Sequence, residues 1–348
     1  MSRLILSLGL LATLGSSAFA AAPDRLSAAI AQGDYPKTTS VLVMRGDRLI
    51  YERYFGDGKR ALLNDTRSAM KAVTALAVGA AIADGMLSSA QAPAFPYLSD
   101  LKPFANDTAD KEAITLADML SMTSALDCND NDDASPGNED RMHEQQNWTR
   151  WAVDLPTMPG YARDATGQGP WRYCTANAFL AGQVVQRATH MSVDAYIARR
   201  LLKPLGIARW EWPRSPTAEV MTGGGLKLRS RDLARLGMLL ADGGRWHGRQ
   251  IVPKSWVDQM LTVRRASRPD QNYGYFIFQG RYATSCGETT AWYMAGNGGS
   301  QIAILPDLHA VIVVTRTNFN VPGTSNGTVD MIGKFVLPML TCGSSPSH

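Results

Sequence analysis

Strand-forming segments stand at both ends of this chain and helix-forming ones fill its middle, and that order restricts the fold more than any single residue does. Ser40-Val41-Leu42-Val43-Met44 and Leu49-Ile50-Tyr51-Glu52-Arg53-Tyr54 flank Arg45-Gly46-Asp47-Arg48, the pattern of a β-hairpin. Towards the other end, Tyr273 to Phe278, Gln301 to Leu305 and Ala310 to Thr315 are apolar or alternating, with a turn at Pro306-Asp307. From about residue 85 to 215 few strand signals are visible. The readable segments there are helical: Ile114 to Leu120, Thr175 to Ala188, and Val193 to Leu202, closed by Lys203-Pro204-Leu205-Gly206. Asp24 to Gln32, Ser230 to Asp242, Pro253 to Leu261 and Thr328 to Leu340 (interrupted at Pro338) complete the expected helices. Strands so far apart most simply share one antiparallel sheet, with the helical stretch inserted between them. The expected class is α+β: an antiparallel β-sheet flanked by helices, with an inserted, mostly helical lobe. Residues 21–67 and 216–348 are expected to form the sheet-bearing lobe and 68–215 the helical one, with a cleft between them.

The first twenty residues read as a secretory signal. Arg3 supplies a basic start, Leu4 to Leu14 an apolar stretch, and Ala18-Phe19-Ala20 an A-x-A cleavage site, so the exported part is expected to begin at Ala21. No later stretch is long and apolar enough for a bilayer, so no stable membrane anchor is expected and the chain is placed in a periplasm or the medium. All four cysteines, Cys128, Cys174, Cys286 and Cys342, fall in the exported part. In an oxidising compartment they imply two disulfides, and Cys128–Cys174 with Cys286–Cys342 is the expected pairing. Their spacing is wide and lacks C-x-x-C, which disfavours zinc. The net charge is +4 and the basic residues are scattered, which gives nucleic-acid binding no footing.

Ser68-Ala69-Met70-Lys71 stands directly before the alanine-rich run Ala72 to Ala83. Residues three apart on a helix share a face. A serine hydroxyl needs a base to become a nucleophile, and a lysine stripped of water by apolar neighbours can lose its charge and act as that base. Asn64-Asp65-Thr66 precede the tetrad as helix-capping residues, which puts Ser68 in the first turn of a helix. A second S-x-x-K, Ser99-Asp100-Leu101-Lys102, lies between Pro96 and Pro103 and reads as a loop coincidence. Tyr173, just before a helix, is a candidate proton carrier. Gly296-Asn297-Gly298-Gly299-Ser300, entering a strand, can offer backbone N–H groups to an oxyanion. A Ser/His/Asp triad has little support: no G-x-S-x-G elbow is present, and His247 and His309 sit in surface-type turns. The acidic clusters Asp130 to Asp133 and Glu139-Asp140 read as a solvated loop rim bordering the cleft rather than a metal site.

These segments together resemble the serine β-lactamase and penicillin-binding-protein superfamily, in the branch of class C β-lactamases, family VIII esterases and 6-aminohexanoate-dimer hydrolases. Ser68-Ala69-Met70-Lys71 matches its first motif, Tyr173-Cys174-Thr175 sits where the family has Tyr-x-Asn, and Asn297-Gly298-Gly299 where it has Lys/His-Thr/Gly-Gly. Supporting matches include Ser121 to Leu126, Gly223-Gly224-Gly225-Leu226 and Asp242-Gly243-Gly244-Arg245-Trp246. The resemblance implies that Ser68 is acylated and that Lys71 and Tyr173 carry its proton, with the choice of base open. It further implies backbone N–H groups of Ser68 and Ser300 at the oxyanion, and substrate contacts from Thr175, Asn297, Gly298 and Gly299. No cofactor and no metal enter this chemistry.

Two departures direct the substrate expectation. Thr175 replaces an asparagine and has no amide to offer a substrate or Lys71. Asn297 replaces a cation that would hold a substrate carboxylate. Both fit an esterase or amidase acting on a small ester, amide or peptide. A D-alanyl-D-alanine-type peptidase or β-lactamase is the alternative within enzymes, and a catalytically silent binder of cell-wall peptides the alternative outside them.

Overall fold

The computed structural model describes residues 15–160, 164 and 167–342, with side chains from residue 24 onward. The apolar stretch Leu4 to Leu14 lies outside the described residues; the expected cleavage site falls within a helix, α1 (Gly15–Gln32), which continues into the expected Asp24–Gln32 segment. No helix among the described residues is long and apolar enough to cross a membrane.

The fold is α+β, built on an eight-stranded sheet. The first hairpin is β1 (Thr38–Arg45) and β2 (Arg48–Tyr54). The remaining strands all come from the last third: β3 (Arg265–Arg268), β4 (Gln271–Tyr273), β5 (Phe278–Thr284), β6 (Gly287–Gly296), β7 (Ser300–Leu305) and β8 (Ala310–Arg316). Their order is β2-β1-β8-β7-β6-β5-β4-β3, antiparallel throughout. β1 pairs with β8 over Thr38–Arg45 and Ala310–Arg316, so the first hairpin is closed by nearly the last strand.

Side-chain alternation explains why this sheet is covered on both faces. Val41, Val43, Ile312 and Val314 point to one side, where they meet Leu26 and Ala29 of α1 and Ile332, Val336 and Leu340 near the C-terminus. Leu42, Val311 and Val313 point to the other, into the core shared with α2 (Lys71–Ala83), α3 (Thr175–Thr189) and α4 (Ser230–Ala241). α2 is buried from Lys71 to Ala81, and its small side chains allow α3 to lie against it. Between β2 and β3 the described residues hold, besides isolated bridges such as Leu126 with Thr157, two ladders of two residues each, Asn64–Asp65 with Lys227–Leu228 and Arg245–Trp246 with Arg249–Gln250, as the scarcity of strand signals there implies.

Three local expectations need correction. Tyr273 to Phe278 is not one strand. After β4 the Gly274 N–H donates to the Ile277 carbonyl at 2.8 Å, Phe276 has φ +53°, and its N–H goes to the Leu120 carbonyl at 2.9 Å. An apolar run reads alike whether it is a strand or a buried turn. Second, the sheet is wider than expected: β3 and β5 are largely polar and partly exposed, and β6 is polar over 287–290 before the buried apolar run 291–294, so none shows a regular apolar alternation. Third, Ser68 is not in the first turn of the α-helix. It lies in a preceding 3₁₀ turn, Arg67–Met70, and α2 begins at Lys71. Arg67 has φ +52° and its N–H is taken by Asp65 Oδ1 at 3.0 Å, so the chain turns sharply before it becomes helical.

Candidate functional site

The 3₁₀ turn brings Ser68 and Lys71 together more directly than an α-helix would, because its side chains eclipse at three residues' spacing. The Lys71 ammonium donates to Ser68 Oγ at 2.8 Å. Lys71 is only 1% exposed. Its Nζ lies over the Tyr173 ring, 4.9 Å from the ring centre, close enough for the phenol to act on its charge. The Tyr173 ring stacks on Phe278, 6.2 Å between centres and 15° between planes, with Trp171 beside it. These groups border a cavity of about 380 Å³ whose wall includes Ser68, Tyr173, Asn297, Gly299 and Ser300.

The second wall is the turn between β6 and β7. Gly298 and Gly299 have φ +95° and +86°, a conformation that favours glycine. Ser300 Oγ donates to the Arg316 carbonyl and accepts from its N–H, both at 3.0 Å, and Thr328 Oγ1 donates to the Gly299 carbonyl at 2.7 Å. Asn297 is exposed, and its amide is occupied by Asn320: Nδ2 donates to Asn320 Oδ1, and Oδ1 accepts from the Asn320 N–H at 2.8 Å. Gly298 is buried under Phe319 and is not part of the cavity wall.

Thr175 is likewise set behind the wall, 1% exposed, and its polar groups are spoken for by two carboxylates. Its N–H donates to Asp130 Oδ2 at 2.6 Å and its hydroxyl to Glu139 Oε2 at 2.7 Å. Asp130 also donates its own N–H to the Tyr173 carbonyl at 2.8 Å and accepts the Glu139 N–H on Oδ1 at 3.0 Å. Between these bonds sits the Cys128–Cys174 disulfide, with Cα atoms 5.4 Å apart. Cys286–Cys342 is the second disulfide. The segment 128–139 therefore holds Tyr173, Cys174 and Thr175 at three consecutive residues.

Asp130 and Glu139 correct the reading of the acidic clusters as a solvated rim. Both are partly buried and line the cavity, whereas Asp132, Asp133 and Asp140 are exposed as expected. Burial, then the Glu139 charge, pushes the Asp130 carboxyl up to about 6, against the pull of Lys71. Burial alone would lower the Lys71 ammonium. The neighbouring Tyr173, Glu139 and Asp130 outweigh it, and Lys71 is shifted upward. The buried amine is thus held charged rather than neutralised, the reverse of what desolvation by itself dictates. The sequence signal for this pair was indirect: joining Cys128 to Cys174 carries Asp130 to Thr175.

No described histidine lines the cavity; His309 and His247 are exposed. Among the described residues no group of side chains is arranged to hold a metal ion.

With this geometry in view, the profile of one family, described as Beta-lactamase, matches residues 26–330. The chain belongs to the Beta-lactamase family. A 6-aminohexanoate-dimer hydrolase of Paenarthrobacter ureafaciens is 28% identical over 275 residues, which cover 75% of this chain and 65% of that relative. The chain thus spans a little under two thirds of the relative's length. Among solved structures, a D-stereospecific amidohydrolase from Streptomyces is 20% identical with a TM-score of 0.64, over 94% of this chain and 99% of that one. A family VIII carboxylesterase is 15% identical with a TM-score of 0.67, over 90% and 96%. At those identities the structural likeness is one of fold. It is the Beta-lactamase-family fold that brings the hairpin turn before β7 against the Ser68 turn.

Proposed function

We propose that this chain is an exported serine hydrolase of ester or amide bonds, working through an acyl group carried on Ser68. The observation that carries the reading is the 2.8 Å contact between Lys71 Nζ and Ser68 Oγ, beside Tyr173 and at the edge of a cavity. Ser68 Oγ attacks the substrate carbonyl, its proton passes into the Lys71–Tyr173 pair, and the same pair returns a proton to the leaving oxygen or nitrogen. The N–H groups of Ser68 and Ser300 receive the oxyanion. Early residues of a helical turn have N–H groups without partners inside the turn, which suits Ser68 to this part. Water then releases the acyl group. Gly299 and Asn297 border the substrate, and Thr175 and Gly298 support them from behind. We further propose the division into a sheet-bearing lobe, 21–67 with 216–348, and a helical lobe, 68–215, with the cavity along their junction.

The relative named as a 6-aminohexanoate-dimer hydrolase and the aromatic lining of Trp171, Tyr173, Phe278 and Tyr293 support a small ester or amide with an apolar acyl part. The tie between Asn297 and Asn320, and the absence of a lysine there, favour substrates without a carboxylate at that position. The two disulfides and the basic-then-apolar start support an oxidising compartment reached by export.

The test is intact-mass detection of an acyl adduct on the protein after exposure to a panel of p-nitrophenyl esters, anilides and β-lactams. An adduct on Ser68, absent from Ser68→Ala, is expected, together with loss of ester hydrolysis in a variant that melts like the parent. Undiminished hydrolysis by Ser68→Ala overturns the reading. A folded protein that no electrophile acylates favours a binder of cell-wall peptides.

A further inference from the structure

We propose that Asp130 and Glu139 are positioning residues that take over the part of the missing second-motif asparagine, keeping the positive charge on Lys71 so that Tyr173 accepts the Ser68 proton. The inference rests on the reading of Ser68 as nucleophile. Its geometric ground is the way the 128–139 segment grips Tyr173, Cys174 and Thr175. The Thr175 hydroxyl and N–H do not reach into the cavity but orient the two carboxylates, at 2.7 and 2.6 Å. Those carboxylates line the same cavity as Ser68 and Tyr173, and their charge bears on the Lys71 amine. An asparagine amide brings no charge to a lysine, whereas two carboxylates bring up to two negative ones. The groups that bear on Lys71 Nζ are Ser68 Oγ from its own turn, in contact, Tyr173 from the segment before α3, and, through space, Asp130 and Glu139 from the 128–139 segment. Those facing Asp130 are Glu139, Lys71 and Thr175.

The reactive state of the pair has one proton fewer than ammonium plus phenol. That state has two forms, amine with phenol or ammonium with phenolate, which differ only in where one proton sits. Carboxylates beside the amine favour ammonium with phenolate. As the bond from Ser68 Oγ to the acyl carbon forms, the Oγ proton moves to the Tyr173 oxygen. It leaves again on the departing alkoxide or amine when the carbonyl re-forms. Lys71 keeps its three protons throughout.

The experiment compares kcat/KM for a p-nitrophenyl ester across pH in the parent, Glu139→Gln and Asp130→Asn. Removing a negative charge makes loss of the pair's proton easier. The inflection at which activity rises with pH should therefore move down by about one pH unit in Glu139→Gln, a charge effect over several ångströms in a partly buried site. It should move the same way in Asp130→Asn. Glu139→Gln keeps an acceptor for the Thr175 hydroxyl, so a merely structural role would scale the whole profile and leave the inflection in place; that outcome overturns the inference. If neither variant folds, the parent decides alone. A tyrosinate ultraviolet band that is lost in Tyr173→Phe should grow with the same pH midpoint as kcat/KM, and a rate inflection with no such band overturns the inference. Fluorophosphonate labelling separates the two readings: no labelling of Ser68 removes the nucleophile itself, while labelling with an unmoved inflection removes only the part given to the carboxylates.

Discussion

Gly296, at the end of β6, is pressed against the backbone that carries Ser68. A Cβ there would lie 2.0 Å from the Thr66 carbonyl oxygen and 3.1 Å from the Ala69 nitrogen. Backbone cannot rotate away as a side chain can, so Gly296→Ala must part the hairpin from the Ser68 turn. We expect a loss of about 3 kcal/mol of stability, the usual scale for overpacking, read from urea unfolding. We also expect at least a ten-fold fall in kcat/KM, because the same shift carries Ser300 away from Ser68. A variant that unfolds like the parent and turns over normally would show that this contact sets neither. At this scale Ser68, Lys71 and Tyr173 were legible in the sequence because each stands in a short motif with a chemical reason. Asp130 and Glu139 were not, because their effect depends on a through-space meeting with Lys71 across nearly sixty residues or more of chain. Acidic residues in a loop carry no periodic mark of what they face.

Elements are tied together here by charge and by sulfur. On β2, Glu52 accepts from Arg231 of α4 at 2.8 and 2.5 Å, and also from Tyr54 and Arg60. The Arg231 hydrogen bond, chiefly, holds the Glu52 carboxyl down at about 2, against the effect of burial. A depressed carboxyl stabilises the fold above its ordinary value of 4.5, and that contribution is lost as pH falls from there towards 2. Glu52→Gln should therefore be less stable than the parent by about 2 kcal/mol at pH 7, allowing for the exposure of both arginines. The gap should narrow below pH 4.5 and close near pH 2, as followed by denaturant melts at each pH. Cys128–Cys174 closes a loop with a sequence separation of 46. Loop-closure entropy assigns it about 4 kcal/mol, so Cys128→Ala/Cys174→Ala should lose stability on that scale. It should also lose activity, since Tyr173 and Thr175 flank the sulfur. A double variant with unchanged turnover would separate the disulfide from the site. The first hairpin and α4 were legible from the rhythm of their apolar residues, and α2, buried on every side, from its run of helix-forming alanines. β3 and β5 were not, since a polar, partly exposed strand shows no such rhythm, and β6 breaks it midway by passing from polar to buried apolar residues.

For the molecule as a whole, the second neighbour of β1 in the sheet, after β2, is β8, some 270 residues later. Everything between must be present before the inner edge of β1 is covered. A chain cut after Leu305 would keep β1, β2 and most helices but leave that edge bare along seven residue pairs. Such an edge invites pairing with other chains. We expect the truncated protein to appear in the insoluble fraction, and a soluble monomer with native-like circular dichroism would contradict this. The overall class was legible at this scale from the order of segments alone, but the width of the sheet was not.

The β1–β8 pairing also bears on biosynthesis. A ribosome releases the first hairpin long before its partner exists, so no partial product can lock into the finished sheet. Slow completion of that kind keeps a nascent polypeptide threadable, and a translocation pore that accepts only loose chains would find it open until synthesis is nearly over.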